Sequence, residues 1–218
     1  ALSLAIDRQA ISRTLAFDLM TPIGAAWAPD SPYFDEKSGY LYSEYDPEKA
    51  KKILDDANII DRDNDGVREL PSGEKLELIW DMYAHDLYTP MSEMIVETVK
   101  EVGINLILNE KHQTLHNKNF TSGNFELSTH DFESYNEPLL MIDKWIPTKP
   151  GSPNFHVKAY EKGGFSSEYN EFTRLLKQAN TTSIEEGIAL GSQAGKIMAE
   201  NVFMIHVGVR KRPFINSN

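Results

Sequence analysis

Apolar and polar positions along the chain alternate between two periods. Leu2, Ala5, Ile6, Ile11 and Leu15 fall on one helical stripe, which predicts a helix over 1–16 with no cap residue before it. Such an opening is expected of a chain that starts inside a longer protein. Residues 17–46 break the pattern: Pro22, Pro29, Pro32, Gly24 and Gly39 are interleaved with Trp27, Tyr33, Phe34, Tyr40, Tyr42 and Tyr45. So many rings predict a long loop pinned by aromatic side chains rather than a disordered linker. Asp46-Pro47-Glu48 is a helix start, with the acid as cap, proline in the first turn and a second acid behind it. That helix should run to about Asn58.

An acidic loop follows over 59–73, then Leu76, Leu78 and Trp80 alternate with Glu77 and Ile79 as in a strand. Residues 88–102 predict a helix capped by Thr89, with Met91, Met94, Ile95, Thr98 and Val102 inward and Gly103 as the stop. INLILN at 104–109 is a strand, 111–120 a short helix ended by Gly123, and NFELST at 124–129 a short strand. Residues 130–165 read as loop with a short helix near 138–145. Two helices close the pattern. The first, 167–180, turns Tyr169, Phe172, Leu175, Leu176 and Ala179 to one face. The second, 183–200, opens on the capping box Ser183–Glu186. VFMIHVGV at 202–209 is apolar enough for a strand buried on both faces. Helices alternating with strands predict an α/β layered lobe.

Composition narrows the function. The chain has 218 residues, no cysteine and a net charge of −11. Disulfides, thiolate nucleophiles and cysteine-ligated zinc are excluded. The acidic balance argues against nucleic acid as a partner. Residues 30–69 hold 12 acids and 6 bases, more than half of the net charge. No G-x-S-x-G, H-E-x-x-H, P-loop or G-x-G-x-x-G motif is present, so no enzyme activity is expected.

Three constellations are candidates for chemistry. Asp61-x-Asp63-x-Asp65-Gly66 has the opening of a calcium loop, but position 12 is Ser72 where a bidentate Glu would close an EF-hand. An Asx-rich turn is the alternative. His112 and His116 are spaced i,i+4 without a third ligand, which predicts an exposed polar helix face rather than a zinc site. His130, Asp131, Phe132, Glu133, Ser134, Tyr135 and Asn136 follow a predicted strand, where α/β folds place ligand clefts. Tyr83, just past an earlier strand, is a further candidate for the same cleft. Trp27, Trp145 and Tyr88 suit either a ligand stack or the core, whereas Trp80, on a strand among apolar residues, suits the core. Arg210-Lys211-Arg212 reads as the solvated end of the last strand.

Four stretches together resemble the peptide/nickel-type extracellular solute-binding proteins of ABC importers. They are ALSLAIDRQAI at 1–11 with Gly24 and the proline-rich segment; YDPEKAKKILDDA at 45–57 with DRDNDGVRELPSGEKLEL at 61–78; the helix–EVGINL unit at 91–106 with GNFEL at 123–127 and YNEP at 135–138; and FSSEYNEFTRLLKQA at 165–179. The resemblance implies a type II, periplasmic-binding-protein-like α/β fold, a layered mixed sheet with flanking helices. Residues 1–218 would be the C-terminal lobe of a two-lobe protein, with the N-terminal lobe and signal peptide absent. It further implies a peptide or other small solute as ligand, ABC permease subunits and the missing lobe as partners, and an extracytoplasmic location, in the periplasm or as a surface lipoprotein. In peptide receptors of this family, an acid four residues before the matching proline grips the ligand's ammonium; here that position is Ser134. A serine cannot neutralise an ammonium, so a sugar, a modified peptide or another neutral solute comes into view. Alternatives are a sensor or adhesion protein of the same fold without a permease, or a metal-dependent hydrolase using 61–65 and 130–137. No cofactor is implied; the single candidate is a structural Ca²⁺ at Asp61, Asp63 and Asp65.

Overall fold

The computed structural model describes residues 1–24, 27–129, 137–146 and 166–210. A three-stranded parallel sheet organises the middle of the chain. Strand β2 (Glu77–Met82) lies between β3 (Asn105–Glu110) and β4 (Leu127–Ser128). Helix α4 (Tyr88–Lys100) carries the chain from β2 to β3 and packs on β3, and α5 (Gln113–Ser122) carries it from β3 to β4. A second, two-stranded antiparallel sheet pairs β1 (Met20–Thr21) with β5 (Val209–Arg210).

The first core lies on this sheet. Ile95, Val99, Val102, Ile104 and Leu106 pack with Leu4, Ile6 and Ile11 from the start of the chain, and with Ala50 and Leu54 of α3 (Pro47–Asp56). Asp46 caps α3 by accepting from the Lys49 amide at 2.9 Å, as its sequence dictates. Gly103 turns out of α4 at φ +83°, and the Arg68 side chain lies across it, 2.6 Å from where a Cβ would stand. Backbone conformation and close approach both demand glycine there.

The second core is helical. α6 (Ser166–Ala179) and α7 (Ile184–Glu200) pack together, and Tyr169, Phe172, Leu175 and Leu176 meet Ala194 and Met198. Trp27 and Trp145 complete it edge to face at 4.8 Å, so both rings are core. Trp27 donates to the Gly191 carbonyl at 2.8 Å, and a Cβ on Gly195 would stand 2.5 Å from its indole nitrogen. The short helix α2 (Glu36–Gly39) also lies against α7. Thus the aromatic loop of 17–46 is anchored by its rings, as its sequence indicates.

Four local expectations are corrected. The helix expected over 1–16 is split: a 3₁₀ turn spans Leu2–Ala5, Ile6 is extended, and α1 (Arg8–Ala16) starts afresh with Asp7 accepting from the Ala10 amide. The cause is Arg8, 1% exposed, whose guanidinium donates to the carbonyls of Ser3 and His206, each at 2.7 Å. A continuous helix would consume the Ser3 carbonyl. Thr89 does not cap α4; the cap position is Leu87, and Thr89 Oγ1 instead accepts from the His85 amide. The short helix near 138–145 is a single 3₁₀ turn at Ile142–Lys144.

The strand expected over 202–209 exists only at Val209–Arg210. Val202 takes a left-handed conformation after α7. Val202, Phe203 and Met204 then pack on the helical core, whereas Ile205 and Val207 pack on the sheet core. The apolar run bridges two cores instead of filling one sheet. Among the described residues, no helix is long and apolar enough to cross a membrane.

Candidate functional site

In a parallel sheet the connections diverge where strand order reverses, and ligands settle beyond the carboxyl ends of the strands at that point. Here β2 leads to β3 on one side, and the chain then returns to β4 on the other. The switch point therefore lies between the ends of β2 and β4. Trp80 of β2 spans it, donating its indole N–H to Thr129 Oγ1 at 2.8 Å.

Tyr83 stands just past the end of β2, half-buried. Its ring centroid lies 5.0 Å from that of His116, 5.9 Å from Tyr88 and 6.2 Å from His85. His85 and Tyr88 stack at 4.2 Å. The edge thus carries an aromatic and imidazole cluster with polar atoms on each ring. Such rings offer flat apolar faces and hydrogen-bonding rims to a solute. After β4 the described residues run to Thr129 and resume at Glu137. His130, Asp131, Phe132, Glu133, Ser134, Tyr135 and Asn136, which continue from Thr129 in sequence, lie outside the described residues.

The floor of this edge is an ion pair. Asp81, 3% exposed, contacts the Lys111 ammonium and accepts from Asn109 Nδ2 at 2.9 Å. Its backbone carbonyl takes the Thr129 amide at 3.1 Å. Asp81 therefore joins the ends of all three strands: both carboxylate oxygens are engaged at the end of β3, and its backbone carbonyl holds the residue after β4. Sequence reading missed it, although an acid at the end of an apolar strand facing a lysine past the next strand is a visible signal.

The histidine pair does not form an exposed face. His112 is the cap of α5, its ring nitrogen accepting from the Thr114 amide at 3.3 Å. His116 is fully buried, with Nε2 3.0 Å from Ser128 Oγ. The split follows from the helix boundary: with His112 outside the helix, the i,i+4 rule does not put the two rings on one face.

The acidic loop holds together more tightly than its sequence promised. Carboxylate oxygens of Asp61, Asp63, Asp65 and Glu69 all lie within 4.8 Å of one another. Glu69 was absent from the sequence reading, which looked to Ser72. It occupies the ninth position counted from Asp61 and is 6% exposed. Backbone bridges Ile60–Glu69 and Glu69–Lys75 fix it between two extended segments. Lys75 ion-pairs with Asp65, holding that carboxyl below and the ammonium above its ordinary range. An open groove lined by Asp7, Arg13, Tyr40 and Tyr45 is separate and shares no lining residue with either cluster.

Comparison with solved structures confirms the fold. The oligopeptide-binding protein OppA matches with TM-score 0.81 at 23% identity over 93% of this chain and 35% of its own. MelB from Agrobacterium fabrum, solved with stachyose, matches with TM-score 0.79 at 16% identity over 93% of this chain and 31% of its own. AppA from Bacillus subtilis, solved with a nonapeptide, matches with TM-score 0.71 at 17% identity over 93% and 39%. The chain thus spans about a third of the length of these structures. No curated protein matches the sequence. Residues 1–145 match the model described as bacterial extracellular solute-binding proteins, family 5 Middle, and the chain belongs to that family.

Proposed function

We propose that the chain is the C-terminal lobe of a two-lobe receptor that captures a solute outside the membrane and delivers it to ABC permease subunits. The lobe itself performs no chemistry; the solute stabilises a closed arrangement by touching both lobes. The observation that carries this reading is the aromatic edge around Tyr83 at the switch point of the sheet, in a chain of an extracellular solute-binding family. The site is Tyr83 together with His130, Asp131, Phe132, Glu133, Ser134, Tyr135 and Asn136, which follow β4 in sequence.

The solute class is an uncharged oligomer, an oligosaccharide or an amino-blocked peptide. Two features favour it over a free peptide amine. Ser134 stands where peptide receptors carry an acid, and the buried Asp81 is committed to Lys111 and Asn109. A charge already paired in the floor of a site is a poor second partner for an ammonium. Solutes of both kinds occur among proteins of this fold, stachyose in one and a nonapeptide in another.

Native mass spectrometry of the full-length protein, purified gently without added solute, tests this. A discrete adduct that disappears on denaturation is expected. An oligosaccharide or blocked-peptide mass agrees with the proposal; a free-amine peptide overturns the solute class. Conversion of the solute into a new product would overturn the receptor reading altogether.

A further inference from the structure

The acidic loop carries an inference independent of solute binding. Four carboxylates within 4.8 Å repel one another strongly, and such a cluster alone proves nothing. Two of its oxygens, however, are buried and have no hydrogen-bond partner: Oδ1 of Asp61 and Oε1 of Glu69. Glu69 is the decisive one. Its side chain is 6% exposed, and its second oxygen is already bound by the Arg62 amide at 2.7 Å. A buried carboxylate oxygen left without a donor is costly, and the residue that carries it stands in a cluster of three further acids. We propose that Asp61, Asp63, Asp65 and Glu69 form a Ca²⁺ site that pins the loop between α3 and β2.

The spacing fits the ion. Calcium takes six to eight oxygens at about 2.3–2.6 Å, so ligands on opposite sides stand roughly 5 Å apart. Oxygens that all lie within 4.8 Å of one another can surround one such ion. Magnesium, with bonds of about 2.0–2.1 Å and tightly held water, would require the cluster to contract. The ligands sit at positions 1, 3, 5 and 9 of the loop, so no acid is needed at Ser72.

Lys75 is the resident counter-ion. It ion-pairs with Asp65 and stands 4.0 Å from Asp63, yet its side chain is 43% exposed. It can swing into solvent when a divalent ion enters, so cation and lysine compete for Asp65.

The test uses full-length protein stripped with a chelator and titrated calorimetrically with CaCl₂ and, separately, MgCl₂. One Ca²⁺ per chain is expected, with Kd on the order of 10⁻⁵–10⁻³ M, and binding to Mg²⁺ at least tenfold weaker. Glu69→Gln should abolish binding, but its burial makes misfolding a rival explanation. Asp63→Asn removes that ambiguity: Asp63 is exposed, so this variant should keep the metal-free melting temperature and lose at least tenfold in Ca²⁺ affinity. Lys75→Met should bind three- to tenfold more tightly. Absence of heat and of a melting shift at 10 mM CaCl₂ would overturn the site. So would an unchanged Kd in Asp63→Asn, and weaker binding by Lys75→Met would overturn the competition.

Discussion

Asp81 and Glu69 are both carboxylates more than nine-tenths buried, and their surroundings differ in a telling way. At the carboxyl edge of the sheet, Asp81 has a lysine, an asparagine and a position where three strand ends meet. In the acidic loop, Glu69 has one backbone donor, an arginine 3.9 Å away and three other acids. The first carboxylate is satisfied within the protein and shapes a floor. The second is incompletely satisfied. Burial of an acid is therefore not by itself a sign of function; the partners decide what the acid is for.

The contrast breaks most visibly at Asp81. Asp81→Ala would leave the Lys111 ammonium, only 18% exposed, without its anion. A loss of about 3–5 kcal/mol is expected in urea unfolding. A loss below about 1 kcal/mol would mean the pair is not the structural floor described.

Next in size is a pH effect at the junction of the two cores. Burial, and then the neighbouring Arg8, push the His206 imidazole down to about 3. The unfolded chain takes up that proton near pH 6.5, and the folded chain does not until far lower. Stability should therefore be full above pH 6.5 and fall as pH drops toward 3. Between pH 6.5 and 5 this amounts to about 2 kcal/mol for one proton. His206→Gln should flatten this part of the curve when both proteins are unfolded in urea at each pH.

Smaller again is the expected effect of Tyr83→Leu, which keeps apolar bulk and removes the ring. Solute affinity should drop about tenfold, or about 1.4 kcal/mol, in titrations with the copurified solute. The smallest stability effect belongs to Asp63→Asn. Without calcium it should change unfolding free energy by less than about 0.5 kcal/mol, because Asp63 is exposed and supports only a local turn.

Much of the fold was legible where local signals and burial agree. Asp46-Pro47 and Ser183 open helices that begin where their caps stand, and the stripe Tyr169–Phe172–Leu175–Leu176–Ala179 is wholly buried. Legibility failed where long-range partners overrode local pattern. The stripe of 1–16 is helical in period, but Arg8 must reach the His206 carbonyl nearly 200 residues away. The run 202–209 is apolar enough for a strand, but its residues divide between two cores. The site shows the same rule. Tyr83 was visible from its place after a strand, whereas Glu69 and His116 became meaningful only once the fold showed what surrounds them.

The central claim is that solute meets this lobe at the carboxyl edge of the sheet and not at the acidic loop. Hydrogen–deuterium exchange on the full-length protein, with and without its copurified solute, tests it directly. Protection of the segments 83–88 and 129–137 is expected on binding, with 61–75 unchanged. Protection confined to 61–75, or absent from both edge segments while solute is bound, would contradict it.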